Sequence, residues 1–210
     1  RMTSLNKEGK LEEARKLFLL SIELIIVVAV AMACGISAIS KEFTPFFFGK
    51  GYDECIRLII ALSPVLVIKG LSEIARMQYL IPNHKEKIFI ESVFCGAGVN
   101  FVVNWFLISR LGALGAVIGT LVAELVSCVW QYIKMNKYIS CLTTIFKSMI
   151  YVVFGVIMFT IVRVVALCFN GGIVALFFEV LAGIITYAVI CLIYWKVTKN
   201  KIVGLVIKKK

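Results

Sequence analysis

The sequence predicts an all-α integral membrane protein with about six transmembrane helices, and three observations carry that expectation. Apolar residues make up 61% of the chain, where soluble domains hold about 45–50%, and the mean hydropathy is +0.98. These residues gather in six runs, each close to the ~20 residues a helix needs to cross the hydrocarbon of a bilayer. Most Lys and Arg residues sit between the runs and favour alternate loops, the pattern of a membrane protein with its basic loops in the cytoplasm.

The runs are Leu17–Ser40, Ile56–Leu80, Ile88–Ile108, Ala113–Ile133, Ile145–Phe169 and Ile173–Trp195. Ahead of the first run, Glu12-Glu13-Ala14-Arg15-Lys16 reads as a short amphipathic helix in the interface. Beyond it, Pro45, Gly49 and Gly51 mark a turn, and Phe46–Phe48 suit the headgroup level. The second run holds Pro64, which removes a backbone donor and kinks a helix. In that run Lys69, Glu73 and Arg76 recur at four and three residues, so they share one face, and Lys69 can pair with Glu73 along the helix.

Pro82 to Lys87 forms a tight basic turn into the third run. The third and fourth runs are joined only by Ser109 to Gly112, which makes them a helical hairpin. Gly96, Gly98, Gly115 and Gly119 lie inside it, where small residues let backbones approach. Asn100 and Asn104 share a face, and Glu124 lies near mid-depth, where a carboxylate faces protein or water rather than lipid. The last two runs form a second hairpin around Asn170-Gly171-Gly172, with Arg163 and Glu179 placed to pair across it.

Sixteen of the 23 Lys and Arg residues fall on the side that holds both chain ends. The expectation is a multi-pass membrane protein with both ends in the cytoplasm. The net charge of +11 does not point to nucleic acid, because the basic residues lie between apolar runs and not along one stripe. No CxxC pair is present among the seven cysteines, which read as reduced, small hydrophobes. With His84 the sole histidine, no metal site is expected. Enzyme signatures such as G-x-S-x-G, H-E-x-x-H and the phosphate-binding G-x-x-x-x-G-K-[ST] are missing, so the expected function is not catalytic. The polar opening, which does not start with Met, reads as a loop within a longer protein and the chain as its C-terminal fragment.

Charges within or beside the runs are Glu23, Lys69, Glu73, Arg76, Glu91, Glu124, Arg163 and Glu179. They either line a hydrophilic cavity or form structural pairs and helix-end groups that reach the interface. Lys69, Glu73, Arg76, Asn100, Asn104 and Glu124 are the candidate cavity residues, with Glu23 and Glu91 as further members. The asparagines could bind sugar hydroxyls or join helices. Trp105, Trp130 and Trp195 read as interfacial belts.

Gln78 to Val93 and Gly96 to Glu124 resemble the C-terminal block of Wzx-type polysaccharide repeat-unit flippases, a branch of the MATE-like superfamily. The resemblance lies in Pro82 with Lys85 and Lys87, Asn100 with Asn104, Gly112 with Gly115, and Glu124. The opening, residues 1–18, looks like the loop after that family's eighth helix. Ile108-Ser109-Arg110 departs from the Ile-Pro common there. The resemblance implies that residues 1–135 are four helices of the second lobe, and 136–210 two appended helices with a basic tail. It implies translocation of an undecaprenyl-pyrophosphate-linked oligosaccharide across the bacterial cytoplasmic membrane by alternating access, with the N-terminal lobe of the same protein as partner. No cofactor is implied beyond coupling to H+ or Na+. Two other readings stay open: a cation-coupled drug or metabolite antiporter using Glu124 and Glu73, and a membrane scaffold subunit without a cavity.

Overall fold

The computed structural model describes residues 9–169 and 172–198. Residues 1–8 of the polar opening, Asn170 and Gly171, at the centre of the expected last turn, and the basic tail from Lys199 lie outside the described residues. The described chain is helical throughout: α1 (Leu11–Phe47), α2 (Asp53–Leu62), α3 (Val65–Ala75), α4 (Glu86–Leu111), α5 (Ala113–Asn136), α6 (Leu142–Ser148), α7 (Ile150–Ala166) and α8 (Gly172–Thr198). Among these residues six stretches are long and apolar enough to cross a membrane: α1, residues 53–83, α4, α5, residues 142–166 and α8. This fits a multi-pass membrane protein. Large apolar side chains such as Phe94, Trp105, Leu167 and Ile184 point outward, as helices that face lipid require.

Local chemistry explains the breaks. The amphipathic Glu12–Lys16 segment is not a separate interfacial helix but the first turns of α1, because nothing in Leu11–Leu20 interrupts helical hydrogen bonding. α1 carries Pro45 in its last turn, and Gly49 and Gly51 then turn the chain with positive φ. The second run breaks at Ser63-Pro64, where the missing proline N–H ends α2. α3 passes into a π-helical turn, Arg76–Leu80, and a 3-10 turn, Ile81–Asn83. The fifth run is divided between α6 and α7 at Met149.

The described residues form two compact units. The first comprises residues up to 33 and 61–148. Its core is a stripe on α1, Phe18, Ile22, Ile26 and Val30, spaced at four residues along one helical face. Ile25 and Ala29 of that helix lie against Gly70 of α3, and Phe18 packs on Tyr79 with ring centroids 5.6 Å apart. The α4–α5 hairpin is the tightest contact of this unit. It turns at Gly112, whose φ of 58° suits a residue without Cβ. A Cβ on Gly115 would strike the Leu107 backbone carbonyl, and one on Gly96 would strike Ser127. Gly98 faces open space and plays no such role. After α5, Cys141 is fully buried, and burial pushes its thiol up to about 11, which keeps it protonated and unreactive.

The second unit comprises residues 34–60 and the described residues from 149 on. Tyr151, Phe154, Met158, Val162 and Ala166 form the buried stripe of α7. On α8 every fourth residue is buried: Ala175, Glu179, Gly183, Tyr187, Cys191 and Trp195. Trp195 is therefore not an interfacial belt residue. Its indole Nε1 donates to the Tyr151 hydroxyl at 2.9 Å inside the unit, which satisfies a donor that burial would otherwise leave unpaired. Trp105, in contrast, is exposed.

Two outcomes test this packing. Gly115→Val should destabilise the protein by about 1–3 kcal/mol through overpacking, while Gly98→Val stays within about 0.5 kcal/mol; unfolding in detergent micelles measures both. Tyr151→Phe removes the acceptor of the Trp195 N–H and should cost about 1–3 kcal/mol, read by the same unfolding experiment.

Candidate functional site

Within the first unit, α3, α4 and α5 enclose a cavity of about 480 Å³. Each helix gives it one face. α3 supplies Lys69, Ser72 and Glu73; α4 supplies Val93, Gly96, Ala97, Asn100 and Asn104, with Phe89 and Phe101 beside them. α5 supplies Thr120, Ala123, Glu124, Ser127 and Gln131. The three- and four-residue spacings are those of single helical faces. The volume falls within the roughly 300–1,000 Å³ of ordinary ligand pockets.

The charges of this wall pair differently from the expectation. Lys69 Nζ lies 2.5 Å from Glu124 Oε1, between α3 and α5. Its predicted partner Glu73 is taken by Arg76, whose Nη2 and Nε donate to Glu73 Oε2 at 2.6 and 3.2 Å. The physical reason is reach. Lys69 extends across the cavity to a carboxylate on the facing helix, and Arg76 folds back three residues along its own. The Arg76 guanidinium also sits 5.1 Å from the Phe89 ring centroid, a favourable cation–π placement. Glu124, which has no partner on its own helix, thus has one on its neighbour.

Asn104 Nδ2 donates to Asn100 Oδ1 at 2.9 Å, along α4. Asn104 Oδ1 is buried without a hydrogen-bond partner and rests where a Cβ on Gly119 would stand. Gly119 is thus the residue that lets the asparagine stand between the helices. At the other end of the wall, Ser127 Oγ donates to the Ser92 carbonyl at 2.9 Å, and Gln131 Nε2 donates to Ser92 Oγ at 3.0 Å. Gln131 Oε1 is also buried without a partner. The Tyr132 hydroxyl donates to the Leu71 carbonyl at 3.1 Å and ties α5 to α3.

Of the candidate cavity residues, Lys69, Glu73, Asn100, Asn104 and Glu124 line this space, and Arg76 holds Glu73 from behind. Glu23 and Glu91 are half-buried and are not among the lining residues. Sequence reasoning missed Ser92, Ser127 and Gln131. Their signal is weak: Glu124, Ser127 and Gln131 follow helical spacing on α5, but an uncharged hydroxyl or amide stands out from an apolar run less than a charge does. In the second unit Arg163 does not pair with Glu179 as expected. Its Nη1 donates to Glu42 Oε2 at 2.7 Å and to the Ala38 carbonyl at 2.9 Å, because the end of α1 runs past Ser40 and brings Glu42 within reach.

Among the described residues no group of three or more His, Cys, Asp or Glu side chains is arranged to hold a metal ion. Chemically, the cavity offers one lysine, two carboxylates, two amides from α4, hydroxyls and two aromatic rings. That set can hold a polar, partly anionic molecule by hydrogen bonds and charge. No family model, no curated protein and no solved structure matches the chain.

A double-mutant cycle checks the pairing. Lys69→Ala with Glu124→Gln should give a coupling of roughly 0.2–1 kcal/mol, the usual range for a partly solvated ion pair, and Lys69→Ala with Glu73→Gln a coupling near zero. Unfolding of the four variants of each cycle in detergent micelles measures it.

Proposed function

We propose that the chain is part of a membrane transporter that moves a lipid-linked oligosaccharide, carried on undecaprenyl pyrophosphate, across the bacterial cytoplasmic membrane. The observation that carries this reading is the cavity walled by Lys69, Glu124, Glu73, Asn100 and Asn104 on three apolar helices. A sugar head is too polar to enter hydrocarbon, so it needs a hydrophilic surface at membrane depth. Asparagine amides and hydroxyls suit sugar hydroxyls, aromatic rings such as Phe89 and Phe101 suit the apolar faces of sugars, and Lys69 suits a phosphate oxygen.

The Lys69–Glu124 pair gives the reading a mechanism. A phosphate oxygen entering the cavity competes with the Glu124 carboxylate for the same ammonium. Substrate therefore replaces one anion by another at the Lys69 ammonium. Release restores the pair, so the empty site is stable without ligand. Alternating access then needs a second lobe to open the site to each side in turn, which fits the resemblance of the chain to one half of a two-lobed flippase. The basic loops on the side of both termini fit a cytoplasmic placement of those ends.

The same ion pair also favours a second reading, cation-coupled antiport of a smaller solute, since protonation of Glu124 would free Lys69. The two readings part on the cargo. A cavity of this size speaks against a scaffold subunit that has no site of its own.

The test is complementation of a flippase-deficient strain with the intact protein. Lys69→Ala and Glu124→Gln should each reduce translocation about tenfold or more, the equivalent of about 1.4 kcal/mol, with lipid-linked oligosaccharide accumulating on the cytoplasmic leaflet. Arg76→Ala should have a smaller effect through Glu73. Full flipping by all three variants refutes the assignment of the site. Normal oligosaccharide flux in the deletion strain, with loss of ion-driven solute export, favours the antiporter.

A further inference from the structure

A second cluster of charges lies in the other unit and plays no part in the transport reading. Glu179 is the second residue of the buried stripe of α8, near the start of that helix, and is fully buried. Neither of its carboxyl oxygens has a hydrogen-bond partner. Its charged neighbours are Glu42 of α1 and Arg163 of α7. The hydrogen bonds of Arg163 Nη1 go to Glu42 and to the Ala38 carbonyl, so this cation is committed to the other carboxylate.

Two carboxylates thus share one guanidinium inside a packed helical unit. Fully ionised, the group would hold a carboxylate with no donor in a place that water does not reach, an arrangement of high cost. One added proton removes both problems. It cancels the excess negative charge, and it turns one carboxyl into a donor whose acceptor is the other.

Access is also in place. A cavity of about 390 Å³ is lined by Lys41, Glu42, Pro45, Arg163, Ala166 and Phe169. Glu42 and Arg163 stand in its wall, while Glu179 is not among the lining residues. The Glu42 carboxylate is therefore the group that meets water, and Glu179 lies behind it. Lys41 is the further charged group lining that cavity.

We propose that Glu42 and Glu179 form a proton-binding site, in which a single proton is shared by the two carboxyl groups beside Arg163 and exchanges with water through the cavity at the end of α1. In the exchange a hydronium ion in the cavity gives a proton to a Glu42 oxygen, its own O–H bond breaking to leave water, and a new O–H bond on Glu179 then forms as that on Glu42 breaks. No electrons change hands and no other reactant is needed. Proton loss leaves Arg163 to serve two anions, so the bond from α7 to the Ala38 carbonyl is the contact that gives way. The site goes beyond the transport reading and stands whether or not that reading does.

Infrared spectroscopy of the intact protein in lipid vesicles tests this directly. At neutral pH the protein should show the C=O stretch of a protonated carboxyl that is absent from Glu179→Gln and from Glu42→Gln and unchanged in Glu91→Gln. Absence of that band from the unmodified protein overturns the proposal. So does a band that survives Glu179→Gln, since it then belongs to another group, or one that survives Glu42→Gln, since the proton is then not shared. Circular dichroism confirms folding. Should Glu179→Gln not fold, Glu42→Gln, whose carboxamide oxygen still accepts from Arg163, decides the matter alone.

Discussion

Hydrocarbon offers an ion no water, so every charge on a membrane-crossing helix must find its counter-charge and hydrogen bonds in the protein. The arrangement of polar side chains in both units follows from that constraint. Lys69 reaches across to Glu124, Arg76 folds back on Glu73, and Arg163 spans to Glu42. Each is an answer to the same problem with a different geometry. The answers differ in accessibility: the Lys69 side chain is 57% exposed and the Glu42 side chain 13%. The first pair stands in an open space that another anion can enter. The second is less exposed, stands in the wall of a smaller cavity, and ties α7 to the end of α1.

Glycine supplies the complementary condition. Apolar helices in a bilayer gain no hydrophobic drive from meeting each other, and close backbone packing takes its place. Gly115 lets α5 lie against the Leu107 carbonyl, and Gly119 leaves room for the Asn104 side chain. The same close approach that holds the hairpin together also sets an amide between two helices. Packing and the polar wall are thus produced by one stretch of sequence.

Hydropathy alone located the six stretches long and apolar enough to cross a membrane, because a run of about 20 apolar residues has few other uses. The break at Pro64 was legible for a local reason, the absent N–H. What could not be read was which charge meets which. The spacing of Lys69 and Glu73 allows a pair, yet a long flexible side chain chooses among all carboxylates in reach, including Glu124, 55 residues on in sequence. Arg163 was assigned to Glu179 because both lie in the last hairpin, and the length of α1 decided otherwise. Trp195 shows the same limit. An indole near a helix end suits the interface, but its four-residue spacing from Cys191 and Tyr187 placed it inside.

The wide turn at Arg76–Leu80 has a consequence of its own. A π-helical turn accommodates one residue more than its α-helical neighbours, and each residue of an α-helix advances the azimuth by about 100°. Side chains that follow the wide turn are rotated by that amount against those that precede it. Lys69 and Glu73 can therefore look into the polar space while Leu80, the last residue of the wide turn, is fully buried and the Tyr79 ring lies tilted against Phe18. One surplus residue lets a single rod serve two masters, a watery wall along one part and a dry seam along the next.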